Sequence, residues 1–286
     1  MATGAEEFVD VTTATAFIPE IWAKAVIVAQ EDALVFAPLV NRQFEKELRF
    51  GDTLHVNSVS DLSVRAKTAN IAIIYETVAE TATDIVVNTH KYVAMAVESI
   101  VKVQADRDQM ALYAGKMGHA LAKDVDDVLA GLVDDFGQTV GTLAVELLDD
   151  DLLRAIQYLD DANVPQTERN VVISPAQAAG FLKLDRFVHN DYTALRGELQ
   201  TAAREKAYVT SFLSMPMFKS VNVEGTNAAG HDCGMFHKEA IALVMQMEPT
   251  PHSMYDIDYF ADKVAIEQLY GTKEMRDTFG VWMKGA

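Results

Sequence analysis

Four groups of side chains in this sequence are of types that could do chemistry. His231, Cys233 and His237, in the stretch HDCGMFH, offer two imidazoles and a thiolate, the donors that zinc takes. A fourth ligand is not at hand, and Cys233 is the chain's single cysteine, so no CxxC pair exists. The stretch reads as a loop leading into a strand, with one buried thiol. Asp256 and Asp258, in YDIDYF, put two carboxylates on one face of a strand. Two carboxylates are few for a hard cation, and the pair reads as a solvated face. Asp124, Asp126 and Asp127 fall together on an expected helix and read as its wet side. His119, beside the apolar stripe of that helix, reads as a packed histidine. No Walker-type phosphate loop, GxGxxG, HExxH or GxSxG occurs. The spacing therefore supports no catalytic residue, no metal ligand set and no cofactor.

The elements that would carry these groups follow from periodicity. Phe17 to Val40 is mostly apolar, with Pro19 suited to a helix's first turn and Ile21, Trp22, Ala25, Val28 and Ala29 at helical spacing. Pro38 ends any such helix. The stretch LRFGDTLHV, Leu48 to Val56, alternates around a Gly-Asp pair and predicts a small hairpin turning at Gly51-Asp52. Asp84 to Glu98 predicts one long strand. From Asp106 to about Val133 the period becomes helical, with Met110, Tyr113, Met117, Leu121, Val125 and Val128 in one stripe. Roughly 28 residues at 1.5 Å each would make a rod of about 42 Å. Three acids, Asp149 to Asp151, then open another helix, where negative charge suits the dipole. NVVIS predicts a buried strand, and Ser174-Pro175 a capped short helix. Further strands follow to the end, without repeats or a Pro/Gly/Ser-rich linker.

Charge narrows the function. The formal net charge is −18 with a pI near 4.7. A field of that sign repels phosphate backbones and anionic lipid, which argues against sequence-specific DNA binding and against a membrane partner. Between Ala120 and Asp161 eleven acids face two bases, whereas residues 41–67 carry five bases and four acids. A slightly basic arm on an acidic body hints at self-complementarity. One cysteine excludes an intrachain disulfide and fits a reducing compartment. The N-terminus lacks the basic and apolar regions of a signal peptide, and no apolar run approaches membrane-spanning length.

Five fragments, in order, resemble the tailed-phage major capsid proteins of the HK97-like fold. FIPEIWAKAVIVAQEDALVFAPLV is similar to their N-terminal arm, and FEKELRFGDTLHVNSV to their extended loop. ESIVKVQADRDQMALYAGKMGHALAKDVDDVLAGL resembles the approach to, and body of, the long spine helix. LDDANVPQTERNVVISPAQAAGFLK resembles part of the axial domain, and AAGHDCGMFHKEAIALVMQ with YGTKEMRDTFGVWM the late strands.

The resemblance implies an α+β subunit. It would have an N-terminal arm (1–40), an extended β-hairpin loop (41–83), a peripheral domain with the spine helix (84–145), an axial α/β domain (146–252) and strands returning to the peripheral domain (253–286). It implies a structural protein, not an enzyme, that self-assembles as hexamers and pentamers into an icosahedral shell around double-stranded DNA. It would be built in the bacterial host cytoplasm and found in the virion capsid. Expected partners are other copies, a portal protein, a separate scaffolding protein (no scaffolding segment fits before Phe8) and a decoration or cement protein. An encapsulin-like nanocompartment shell is the alternative. Expected interface residues on the loop are Arg42, Lys46, Leu48, Arg49, Phe50, Gly51, Asp52, Thr53 and Leu54, and on the arm Phe17, Ile18, Ile21 and Trp22. An apolar arm that cannot bury itself in its own core is a liability in a monomer and a contact in an assembly.

Overall fold

The computed structural model describes residues 35–46, 48, 50–59, 62–67, 69–70, 72–73, 75, 77, 80–98, 109–181, 183, 208–212 and 215–286. The expected contacts Phe17, Ile18, Ile21, Trp22 and Arg49 lie outside these residues.

β1 (Thr53–Val59) pairs antiparallel with β2 (Glu80–Val86), His55 opposite Asp84. The small hairpin expected across Leu48 to Val56 is therefore absent. Alternation shows which face a strand buries but does not name its partner, and here the partner lies some two dozen residues downstream. Gly51, at φ +100°, adopts the left-handed backbone that suits glycine and turns the chain into β1. Its carbonyl accepts from Gln246 Nε2 at 2.8 Å, and the Asp52 carbonyl accepts from the Val87 amide at 2.8 Å. Gly51-Asp52 is thus the root of the arm, not its tip. β3 (Thr89–Glu98) is separate from β2, so the expected long strand breaks at Val87-Asn88. The two halves serve different sheets.

α1 (Gln109–Ala130) realises the helical stripe: Met117, Leu121, Ala122, Val125 and Leu129 are buried. Beyond it come β4 (Gln138–Gly141), α2 (Asp149–Asp161), β5 (Arg169–Ile173), α3 (Pro175–Phe181), β6 (Tyr208–Phe212), β7 (Met215–Lys219), β8 (Gly225–Thr226) and β9 (Gly230–His237). β10 (Ile241–Asp256), β11 (Ala261–Glu274) and β12 (Gly280–Gly285) complete the order. Leu148, before α2, has no side-chain oxygen to cap with; Asp151 instead accepts from the Leu148 amide at 3.0 Å. Ser174 Oγ accepts from the Gln177 amide at 3.0 Å and caps α3 as expected.

One mixed sheet runs β4-β12-β9-β5-β7-β6, with β8 beside β9. β5 is buried at every position and sits in mid-sheet, which suits a continuous apolar run. A second sheet runs β10-β11-β3, all antiparallel. α1 joins the two. Met117 and Leu121 pack with Ile266, Val93 and Met95 of the second sheet, while Val125 and Leu129 enter the core of the first. The arm has its own small cluster, with Leu48, Ile85 and Val87 against Ala242 and Val244. The expected divisions after residues 83 and 252 fall inside β2 and β10. Among the described residues no helix is long and apolar enough to cross a membrane.

β2 meets the second sheet where there is no space for a side chain. A Cβ at Gly271 would lie 2.5 Å from the Val86 carbonyl oxygen and 3.0 Å from Val87 Cα. Both are backbone atoms and cannot swing aside. Gly271→Val is expected to cost about 2 kcal/mol or more through overpacking. A denaturation midpoint equal to that of the parent chain would contradict so close a crossing.

Candidate functional site

None of the four chemistry-bearing groups converges on a reaction centre. His231, Cys233 and His237 lie within β9, not in a loop before a strand. Cys233 is fully buried, burial pushes its thiol up to about 11, and its sulfur accepts from the Ser174 amide at 3.4 Å. The histidines are engaged separately: His231 Nε2 with Asn227 Oδ1 at 3.0 Å, and His237 Nδ1 with the Glu239 amide at 3.2 Å. Asp256 and Asp258 do not share a strand face. β10 ends at Asp256, and Asp258 lies in the turn to β11. Asp256 pairs with Lys263 at 2.9 Å and accepts from the Asp258 amide at 2.9 Å, and the first of these bonds above all holds its carboxyl below the usual range. Among the described residues no group of three His, Cys, Asp or Glu side chains could hold a metal ion. An open pocket of about 360 Å³ lies between residues 38 and 40–43 on one side and Glu168, Lys238 and Glu239 on the other. Of its charged walls, Lys238 pairs with Glu168 at 3.8 Å, while Arg42 pairs with Glu45 and Glu239 with Arg276 outside the lining.

The aspartates of α1 divide sharply, which corrects the expectation of a uniformly wet face. Asp127 is exposed, but Asp126 is completely buried. Its Oδ1 accepts from the amides of Val35 at 3.1 Å and Phe36 at 2.8 Å, and its Oδ2 from Asn222 Nδ2 at 3.0 Å. One carboxylate thus fixes residues 35–36 and the 220–223 loop to the helix. Burial pushes its pKa up; the three bonds oppose that shift. The sequence held a signal, since Asp126 is four residues from Ala122 and three from Leu129, both buried. Asp124 has another role. It accepts from Tyr270 Oη at 2.7 Å and meets Lys91 Nζ at 3.3 Å, tying α1 to β11 and β3. Burial, then Asp124, push the Tyr270 phenol upward.

The expected loop contacts fall into two sets. Leu48 is 3% exposed inside its own subunit's cluster and is not available to a neighbour. Thr53 and Leu54 are half-buried at the start of β1. Arg42 pairs locally with Glu45 at 2.8 Å, and Lys46 is exposed. Phe50 is 93% exposed, beside the exposed root residues Gly51 and Asp52. Farther out, Leu62, Val64, Ile73 and Tyr75 are exposed, Val64 at 102% and Tyr75 at 86%. A second apolar tip was not anticipated. Met254, Tyr255, Ile257, Tyr259 and Phe260 crowd the β10–β11 turn with exposed side chains. That run of large residues was its sequence signal, hidden by reading the segment as a continuous strand.

No family model matches the sequence, and no curated protein does. Solved structures do. The structure from Mycobacterium phage Che8 superposes with a TM-score of 0.75 at 26% identity, covering 87% of this chain and 90% of that one. The capsid structure of cyanophage P-SCSP1u gives 0.69 at 15% identity, covering 89% and 88%. A virus-like particle from Pyrococcus furiosus gives 0.60 at 12% identity, covering 94% and 100%. With its long helix, two sheets and projecting ribbon already placed, the chain carries the HK97-like fold of these phage capsid structures.

Proposed function

We propose that the chain assembles as hexamers and pentamers into a closed icosahedral shell around double-stranded DNA, and acts without catalysis. The observation that carries this reading is the arm, which is rooted in its own subunit by Leu48, Ile85 and Val87 but exposes Phe50, Leu62, Val64, Ile73 and Tyr75 farther out. Such side chains are a solubility liability on a lone subunit. Covered by a neighbour, each Å² of them contributes roughly 25 cal/mol to association. The β10–β11 tip offers a second surface of the same kind. Head-to-tail contacts of this sort close into rings. The reading places assembly in a bacterial cytoplasm. Its implied partners are a portal protein at one vertex, a separate scaffolding protein, and a decoration or cement protein where one is used. The chain's negative charge suits a wall along which DNA packs without sticking.

Negative-stain microscopy of the purified chain tests the proposal. Closed particles of uniform diameter are the expected result. Monomers or small oligomers at every protein and salt concentration would overturn it. The Pyrococcus virus-like particle favours a second reading, an encapsulin-like compartment. Particles recovered from producing cells should protect DNA from nuclease on the first reading, and hold a protein cargo in its place on the second.

A further inference from the structure

We infer that the arm and the β10-β11-β3 sheet carry a proton-operated clamp, made of three histidine–carboxylate contacts that each cross from one strand to the next. In the arm, His55 Nδ1 lies 2.5 Å from Asp84 Oδ1, directly across the β1–β2 pair. In the sheet, His90 Nε2 on β3 lies 2.8 Å from Glu267 Oε2 on β11. From the other side, His252 Nε2 on β10 lies 2.9 Å from Glu267 Oε1. Both oxygens of one carboxylate are therefore held by imidazoles from the two flanking strands, and a single side chain stitches all three strands.

A neutral imidazole has one N–H to give; an imidazolium donates from both nitrogens and carries a full charge. Proton uptake turns each of these contacts from an ordinary hydrogen bond into an ion pair. The bonds from His90 and then His252 hold the Glu267 carboxyl below its usual range. The carboxylate thus stays ionised to lower pH than a free glutamate and remains available to pair with an imidazolium. Glu267 titrates lower in the folded chain than in the unfolded one. Its contribution is complete above the ordinary glutamate range and is lost as pH falls through its depressed folded value. The clamp therefore holds in weak acid, above the pH at which Glu267 itself takes up a proton.

Among the described residues the other charged groups around these contacts are few. On the same face, Glu267 stands opposite Tyr92 of β3 and Thr250 of β10, with Glu248 at the adjoining bulge. Lys263, farther along β11, is engaged with Asp256, and Glu98 lies at the far end of β3 opposite Ala261. Lys91, Asp124 and Tyr270 belong to the opposite face, where α1 packs. Around His55 and Asp84 the same-face positions are Thr53, Asn57, Ala82 and Val86, none of which titrates in this range.

Amide hydrogen exchange of the full chain, corrected for intrinsic rates and compared at matched assembly state, tests the clamp. Peptides from β1, β2, β3, β10 and β11 are expected to gain about three-fold protection at pH 5.5 over pH 8, in line with exposed pairs. Peptides from β5 and α2, which carry no histidine, should stay constant. Glu267→Gln should abolish the gain in β3, β10 and β11 while leaving the arm's gain, and Asp84→Asn should do the reverse. His90→Gln covers the case in which Glu267→Gln perturbs the sheet, and should remove the gain along β3 first. No gain in the parent chain, or a gain that survives both carboxylate substitutions, would overturn the inference.

Discussion

Asp126→Ala is expected to destabilise the chain by about 3 kcal/mol, because the buried carboxylate is the shared acceptor of three donors. The substitution removes the acceptor for the amides of Val35 and Phe36 and for Asn222 Nδ2. Each buried donor left without a partner costs about 1–3 kcal/mol. Asp127→Ala, one residue along but exposed, is the control and should stay within about 0.5 kcal/mol of the parent. Guanidinium denaturation separates the two. The acid also has a pH signature. Burial raises its pKa in the folded chain, so the native state holds its proton more firmly than the unfolded state does. Its contribution to stability therefore grows as pH falls through the folded value and shrinks as pH rises past it. Asp126→Ala should remove that component of the pH dependence as well as lowering the midpoint. Coincident midpoints for the Asp126 and Asp127 variants would mean that residues 35–36 are held by something else.

That hub shows where sequence reading succeeds and where it stops. Legible features were those written in a local period or a local cap. The stripe from Met117 to Leu129 specified α1, the unbroken run in β5 specified a strand covered on both faces, and Ser174-Pro175 specified the start of α3. The features that were not legible depend on what lies across from a residue. LRFGDTLHV alternates as a hairpin would, yet β1 takes a strand from beyond the exposed loop as its partner. Asp84 to Glu98 alternates throughout, yet Val87-Asn88 hands the chain from one sheet to another. The β10–β11 turn has no Gly, Asn or Pro between Tyr255 and Phe260. It is made instead by Asp256 accepting from the Asp258 amide, with Phe260 at φ +50°. A non-glycine residue in that region is uncommon, which is why the segment read as a strand. The same limit governed the candidate site: the exposure of Phe50 and the burial of Leu48, two residues apart, depend on where β10 runs.

Excising residues 62–75 and closing the gap with a short polar turn is expected to abolish shell formation while sparing the fold. The deletion leaves the root intact, including the bonds of Gly51 to Gln246 and of Asp52 to Val87, and the cluster of Leu48, Ile85 and Val87. Replacing Phe50 to Thr53 instead would cut those bonds, and a failure to assemble would then say nothing specific about contacts between subunits. Among the described residues the deletion removes four large exposed apolar side chains: Leu62, Val64, Ile73 and Tyr75. Fully covering one of that size contributes roughly 1.5–3 kcal/mol. With only half of each covered by a neighbour, about 4 kcal/mol per contact is at stake, close to a thousandfold in association constant. Because a shell repeats each contact in every subunit, such a loss cannot be offset elsewhere. The truncated chain should keep the parent's circular dichroism and denaturation midpoint and sediment as small species at concentrations where the parent forms particles. Normal particles from the truncated chain would show that the ribbon's outer half is dispensable, and self-assembly would have to rest on the β10–β11 tip and the chain ahead of Pro38.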